Sequence, residues 1–168
     1  GLVETRPYRG NFVRAFSARQ VRDLYEVRKA LEICAVRLAV PRLNEQRLAV
    51  LREILNDVQR ALDAGELTWY GTADRRFHNM LASYGDNQTL IECLERLGFQ
   101  IQIVRTMAND DPAVVRRTAL ERPRILAALE ARDAERAAQL MQEHIEGVCE
   151  SVVAQMEAAE QAGEAAGS

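Results

Sequence analysis

The sequence predicts an all-α protein, an antiparallel bundle of about six helices, and three observations carry this prediction. Aromatic residues make up only 5% of the chain, and the abundant Leu, Ala, Arg and Glu favour helix over sheet. Only four prolines and nine glycines interrupt 168 residues. Apolar residues recur at intervals of three and four in six stretches that are separated by short polar breaks. We therefore expect one helical domain over residues 17–160.

The first sixteen residues do not fit the helical pattern. Leu2-Val3 and Phe12-Val13 are two short β segments on either side of a turn that contains Pro7 and Gly10. Two such strands are not stable by themselves. Residues 1–16 are therefore expected to be the end of a larger preceding domain followed by a linker.

The first two helices have clear start and stop signals. Ser17 and Gln20 predict a capping box, and Pro41 ends the first helix. Asn44 predicts the cap of the second helix, which ends at Gly65.

The third helix is predicted from about Trp69 to Tyr84. Gly85-Asp86-Asn87 ends it and supplies the cap of the fourth helix. The fourth helix is apolar on more than one side, with Phe99 and Ile103 outside its main stripe. It is predicted to be a central helix that is buried on most sides.

The last two helices follow the break at Asn109-Asp110-Asp111-Pro112. Thr118 and Glu121 predict a capping box for the fifth helix, and Asp133 predicts the cap of the sixth. From Gln155 onward the sequence has no apolar side, so we expect fraying there and a frayed tail over residues 161–168.

Four polar residues fall on otherwise apolar helix faces. Asp74 and His78 are four residues apart on one face, Arg122 is in a row with Ala119, Leu126 and Leu129, and His144 is flanked by Leu140, Met141 and Val148. A buried polar group costs about 1–3 kcal/mol if it is left unpaired. The pattern therefore predicts a polar site inside the bundle. Arg28 and Glu32 are either a solvated ion pair or an arginine that faces this site.

Asp74, His78 and His144 could bind a divalent ion such as zinc, nickel or manganese. The alternative is that both histidines are hydrogen-bonded core residues and that Arg122 neutralises Asp74. The sequence has no phosphate-binding loop and no nucleophile elbow, so we expect no enzymatic activity. Two alternative functions nevertheless stay open from these residues: a metal-dependent bundle enzyme that uses Asp74, His78 and His144, and a purely structural dimerisation module.

The charge and the cysteines bound the class of protein. The net charge is −3 and acids are mixed with bases, which argues against a surface that wraps nucleic acid. Cys34, Cys93 and Cys149 are widely spaced in apolar patterns, which indicates core residues of a reduced intracellular protein. No signal peptide or membrane-spanning stretch is present. We expect a cytoplasmic protein without a membrane partner.

Several motifs together resemble one known family. The opening Gly1 to Val13 resembles the wing hairpin that ends the winged helix of GntR-family transcriptional regulators. Leu24 to Glu32, Asp74 to His78, Gly85-Asp86-Asn87 and Met141 to His144 resemble the FadR-type C-terminal effector-binding (FCD) domain. The resemblance implies a homodimer that binds a small carboxylate effector and modulates DNA binding by an N-terminal winged helix, most of which is absent from this sequence.

The resemblance also implies a metal site, with one departure. In metal-dependent members of the family the ligands are one Asp and three His; Asp74, His78 and His144 match the first, second and fourth, and Arg122 stands at the third. Glu121 is predicted to point about 100° away from Arg122 around the helix, so it is not taken as a ligand. Our hypothesis is that Arg122 replaces the metal as the positive anchor for an anionic effector, with Arg28 a second anchor by resemblance. The expected effector site is Arg28, Asp74, His78, Arg122 and His144.

Overall fold

The computed structural model describes the backbone of residues 3–6, 10–13 and 16–166, and the side chains of residues 16–163. It confirms the all-α fold class, since residues 18–166 form a six-helix bundle. The helices are α1 (Ala18–Ala39), α2 (Glu45–Asp63), α3 (Leu67–Tyr84), α4 (Gln88–Asn109), α5 (Pro112–Glu130) and α6 (Ala134–Ala166). A short 3-10 turn, Val40–Arg42, joins α1 to α2.

The predicted β segments correspond to two short strands, β1 (Val3–Arg6) and β2 (Gly10–Val13). They pair antiparallel, with Val3 opposite Val13 and Arg6 opposite Gly10. Leu2 and the connecting residues 7–9 lie outside the described residues. The prediction that residues 1–16 end a larger domain remains an expectation.

Four of the predicted helix starts are confirmed. The Ser17 side chain accepts a hydrogen bond from the Gln20 amide, and the Gln20 side chain accepts one from the Ser17 amide, which completes the capping box. Asn44, Asn87 and Asp133 each accept a hydrogen bond from the amide three residues further on. These caps satisfy amides that the helices themselves leave without a partner.

The predicted capping box at Thr118 and Glu121 is wrong. Helix α5 begins seven residues earlier, because Asp111 caps it by accepting a hydrogen bond from the Ala113 amide and Pro112 occupies the first helical position. Proline is favourable there since its missing amide would have had no helical partner. Thr118 lies inside α5, and its hydroxyl donates to the Val115 carbonyl.

Two burial predictions are also wrong. Helix α4 is not buried on most sides, because Phe99 is 55% exposed and Ile103 is only half-buried. Cys34 is exposed on α1, whereas Cys93 and Cys149 are half-buried. Apolar residues of α4 therefore lie on its exposed side as well as on the side that faces the core.

Helix α6 remains helical to Ala166, past residue 155 where fraying was predicted.

The apolar core runs between all six helices. Helix α1 packs most extensively against α6, and α2 packs against α3. The largest fully buried apolar side chains are Tyr70, Phe77, Leu51, Ile54, Leu81, Ile125, Leu129, Met141 and Ile145.

One side chain ties two distant turns together. Arg132, between α5 and α6, has a positive φ of 59° and donates to the carbonyls of Val40 and Leu43 between α1 and α2.

No helix in the described part of the chain is long and apolar enough to cross a bilayer.

Candidate functional site

Five of the six helices place charged or polar side chains in one buried centre. Helix α2 contributes none of them. All five residues predicted from the sequence meet there, together with two that were not predicted. The centre consists of Arg28 and Glu32 from α1, Asp74 and His78 from α3, Arg105 from α4, Arg122 from α5 and His144 from α6, each at most 6% exposed.

Arg122 is fully engaged by neighbouring side chains. Its Nε donates to Asp74 Oδ1 at 2.8 Å, its Nη2 donates to the same oxygen, and its Nη1 donates to the Tyr70 hydroxyl at 2.9 Å. The Tyr70 hydroxyl lies 2.6 Å from Thr118 Oγ1, which in turn donates to a backbone carbonyl. Burial raises the pKa of Asp74, but the charges of Arg122 and Arg105 outweigh burial and hold that pKa well below its usual value. Arg122 and Asp74 thus form a buried ion pair.

Arg28 and Glu32 form a second buried ion pair, so the solvated alternative is wrong. Arg28 Nε donates to Glu32 Oε1 at 2.7 Å, and the Arg28 guanidinium lies 4.9 Å from the centre of the Tyr25 ring. The other oxygen of Glu32 pairs with His78 Nδ1. Burial raises the pKa of Glu32, whereas the charges of His78 and Arg28 lower it, and the net shift is downward.

The two histidines stack on each other, and a carboxylate holds each of them. Their ring centres are 5.4 Å apart at an angle of 25°. His144 Nδ1 lies 2.7 Å from Glu121 Oε2. Glu121 therefore reaches the site through His144, although it does not point along the same direction as Arg122. Burial lowers the pKa of His144 to about 4, against the opposing effect of Glu121, and His144 is neutral at pH 7.

Arg117 pairs with the outer side of Glu121, and Gly147 leaves room for the Arg117 guanidinium. Arg117 Nε lies 3.1 Å from Glu121 Oε1, and its Nη1 donates to Ser151 at 3.2 Å. A Cβ atom at Gly147 would lie 3.2 Å from Arg117 Nη2, so a larger residue would push the guanidinium away. Arg117 thereby balances the charge of the half-buried Glu121.

Arg105 is the poorly paired member of the centre. Its Nε lies 3.4 Å from Asp74 Oδ2 and its Nη2 lies 4.0 Å from Glu32 Oε1. Among residues 16–163, no acceptor forms a hydrogen bond with this Nε. Burial and the neighbouring charge of Arg28 lower the pKa of Arg105.

Asp74, His78 and His144 resemble a metal site, since one ligand atom from each lies within 4.8 Å of the others. Each histidine directs Nδ1 to a carboxylate, an arrangement that commonly orients Nε2 toward a metal. His78 Nε2 has no hydrogen-bond partner in the described part of the chain. However, Arg122 holds Asp74 Oδ1 and Arg105 lies beside Asp74 Oδ2. Two guanidinium groups at the only carboxylate ligand do not fit a divalent cation.

A very small cavity of about 10 Å³ lies among these residues. A cavity of this size holds about one water molecule, whereas typical ligand pockets measure roughly 300–1,000 Å³. Its polar lining residues are Arg28, Asp74, Arg105, Thr118, Arg122 and His144.

Comparison with known proteins identifies the family. A family model described as the FCD domain matches residues 23–147. The chain belongs to this family. It is the FCD domain of a GntR-family transcriptional regulator. The FCD domain spans most of the chain, and an FCD domain in regulators of this kind is effector-binding.

The most informative relatives are transcriptional regulators, not enzymes. The HTH-type transcriptional repressor RspR of Escherichia coli (strain K12) is 30% identical over 155 residues, which cover 90% of this chain and 67% of RspR. The structure of E. coli McbR/YncC has a TM-score of 0.83 and 26% identity, and the match covers 92% of this chain and 78% of that one. The Zn²⁺-bound FCD domain of TM0439 has a TM-score of 0.70 at 19% identity, over 85% of this chain and 98% of that one, which shows a shared fold.

Arg105, Tyr70 and the roles of Glu32 and Glu121 in this FCD domain were not predicted from the sequence. A signal for Arg105 was present, because Arg105 falls in the same helical row as Ile101 and Ala108. The contact between Glu121 and His144 depends on how α5 and α6 pack, which residue spacing within one helix does not specify.

Proposed function

We propose that this domain senses a small carboxylate effector in its buried centre and dimerises, and that it thereby modulates DNA binding by a winged helix that precedes it in the full regulator. The observation that carries the proposal is the buried charged centre shared by five helices, with a small cavity among its side chains. Buried charges lower stability unless each has a partner. An incompletely paired centre is therefore expected if an effector supplies the missing partner. Arg28, Asp74, His78, Arg122 and His144 form the walls of the proposed site.

The mechanism is a shift of population between two helix packings. The cavity is lined by side chains from α1, α3, α4, α5 and α6 and holds about one water, so a carboxylate binds there only when these helices move apart. The ligand therefore stabilises the more open packing. In a homodimer, a change in packing alters the separation of two DNA-reading domains, and half-site spacing on DNA is sensitive to that separation.

The proposed site works without a resident metal. The sequence left open one Zn, Ni or Mn ion at Asp74, His78 and His144, and the position of Arg122 on Asp74 argues against it. Arg122 takes the place of the metal as the partner of Asp74, and the hypothesis that Arg122 also anchors an anionic effector stays a prediction.

Thermal melting of the chain with a panel of short carboxylates tests the sensing role. We expect at least one acid to raise the Tm and its uncharged amide analogue to have no effect, because only the anion pairs with buried guanidinium groups. If no acid shifts the Tm, the structural dimerisation module is the better interpretation. Light scattering after size exclusion measures the dimer directly.

Elemental analysis before and after chelator treatment tests the metal. We expect less than stoichiometric metal and an acid response that survives the chelator. Stoichiometric metal whose removal abolishes the acid response would contradict the metal-free site.

A further inference from the structure

Two surface grooves share a wall residue with the small cavity of the charged centre. A groove of about 410 Å³ between α2 and α5 shares Arg122 with the cavity. A groove of about 390 Å³ between α3 and α4 shares Asn109 with it. Both grooves have the volume of ordinary ligand pockets. A small molecule therefore has two possible approaches to the centre, and the shared wall residue decides which of them opens.

The wall at Arg122 is fixed by hydrogen bonds. Arg122 donates two of them to Asp74 and one to Tyr70, and all three side chains are buried. Moving Arg122 aside would separate a buried ion pair, which is strongly unfavourable. The groove between α2 and α5 is therefore closed toward the centre.

The wall at Asn109 is held by packing alone. Asn109 is the last residue of α4, it is half-buried, and its side chain forms no hydrogen bond with any other of residues 16–163. The side chain packs toward the backbone of α3 at Gly71, where a Cβ atom would lie 3.3 Å from Asn109 Nδ2. A few van der Waals contacts are individually weak. The Asn109 side chain can therefore turn aside without breaking a hydrogen bond.

The end of α3 beside this wall lacks a side-chain cap. Glu66 precedes α3, and its side chain accepts no hydrogen bond from the first turn. Leu67, Thr68 and Gly71 belong to this end of α3 and line the groove. A first turn without a cap opens at a lower free energy than a capped one. The other five helices each begin with a side-chain cap, at Ser17, Asn44, Asn87, Asp111 and Asp133.

The groove between α3 and α4 has a polar wall with one charge of each sign. Arg75 and Asp110 are its charged residues. Gln102 Oε1 in the same wall is buried and has no hydrogen-bond partner in the described part of the chain. Since the two charges offset each other, the groove neither excludes a small acid nor holds it tightly. It therefore suits passage toward the centre.

We infer that Asn109 is the gate of the charged centre: a small effector enters from the groove between α3 and α4, and the bundle begins to open where Asn109 packs on Gly71. This inference rests on the proposed effector-sensing function and adds to it a route and the residue that controls the route. Asn109 takes no part in the ion pairs of the centre. It therefore controls how fast the centre is reached.

A thiol placed in the cavity measures access to the centre without any effector. Ala108 lines the cavity and is 2% exposed, so Ala108→Cys introduces a buried thiol there. Methyl methanethiosulfonate, a compact neutral reagent, labels this thiol when the gate is open. Mass spectrometry of the peptides separates this label from labels on the native cysteines. A second chain with Ala39→Cys, at a fully buried position of α1, measures labelling through unfolding of the bundle.

Three substitutions in these two chains test the gate. Asn109→Ala should speed labelling at position 108 by roughly tenfold, which corresponds to an opening that costs about 1.4 kcal/mol less, and should leave labelling at position 39 unchanged. Asn109→Leu keeps the size of the side chain and should give the parent rate or a slower one. Gln59→Ala changes the wall of the groove between α2 and α5 and should leave both rates unchanged.

The inference fails if Asn109→Ala leaves labelling at position 108 unchanged. It also fails if Asn109→Ala speeds labelling equally at positions 108 and 39, because the substitution then acts through unfolding. Faster labelling at position 108 in Gln59→Ala would place the route between α2 and α5 instead. The carboxylate melting panel decides the proposed function separately. If no acid raises the Tm, effector sensing fails, and the labelling rates still decide whether Asn109 controls access to the cavity.

Discussion

Helices α1 and α2 are of similar length and both pack on α3, yet they bury different chemistry. Every buried residue of α2 is apolar: Leu48, Leu51, Ile54, Val58 and Ala61. Helix α1 buries Arg28 and Glu32 among its apolar residues. The periodicity that predicts a helix is the same in both cases. The difference teaches that α2 only holds the bundle together, whereas α1 also carries part of the charged centre.

Replacing Glu32 by alanine should lower the free energy of unfolding more than the other changes to α1 and α2. The substitution leaves Arg28, at 1% exposure, without its carboxylate and removes the partner of His78 Nδ1. We expect the free energy of unfolding to fall by about 3–5 kcal/mol, as for other buried ion pairs that lose one member. Urea denaturation measures it. Glu53→Ala on α2 is the matched control. It removes an exposed ion pair with Arg60 and an exposed hydrogen bond from Asn56, and it should leave stability nearly unchanged.

Replacing Leu51 by alanine should test the purely structural role of α2. Leu51 is fully buried, so the cavity left behind should lower the free energy of unfolding by about 3–4 kcal/mol. The acid that stabilises the parent should still raise the Tm of this variant by the same amount. Loss of the acid response in the folded variant would show that α2 also shapes the charged centre.

Acid pH should weaken the charged centre and leave the apolar contacts of α2 unaffected. The pKa of His144 is about 4 in the folded chain and 6.5 is its ordinary value, so the unfolded chain binds more protons between these pH values. Stability is therefore complete above pH 6.5 and falls as the pH drops toward 4, by up to about 3 kcal/mol from this residue. Denaturation curves at several pH values measure the slope. His144→Gln should flatten it, and an unchanged slope in that variant would assign the effect to another group.

The parts of the fold that local signals specify were predictable from the sequence. The caps at Ser17, Asn44, Asn87 and Asp133 depend on residues within one turn of each helix start. The start of α5 was not predicted correctly, because Thr118 and Glu121 offered a pattern that competes with Asp111 and Pro112. Two valid local signals in one stretch cannot be ranked without knowing what packs against it.

The site was predictable as a set of residues but not as a set of pairs. Asp74, His78, Arg122 and His144 stood out because each is polar on an apolar face. Their partners depend on contacts between helices, such as Glu32 with His78 across 46 residues of sequence and Arg122 with Tyr70 across 52. These contacts show that Arg122 is paired with Asp74, which the spacing of residues within one helix does not reveal.

The turns of the bundle should differ in how well they tolerate inserted residues, and Arg132 is the cause. Its guanidinium joins the turn after α5 to the turn after α1, so the two turns behave as one unit. Added residues in either turn would pull the guanidinium away from two carbonyls at once. The turn at Gly65 has a positive φ of 70° and no atom within 4 Å of where a Cβ would lie. A reporter peptide or a new chain terminus is therefore better placed beside Gly65 than beside Arg132.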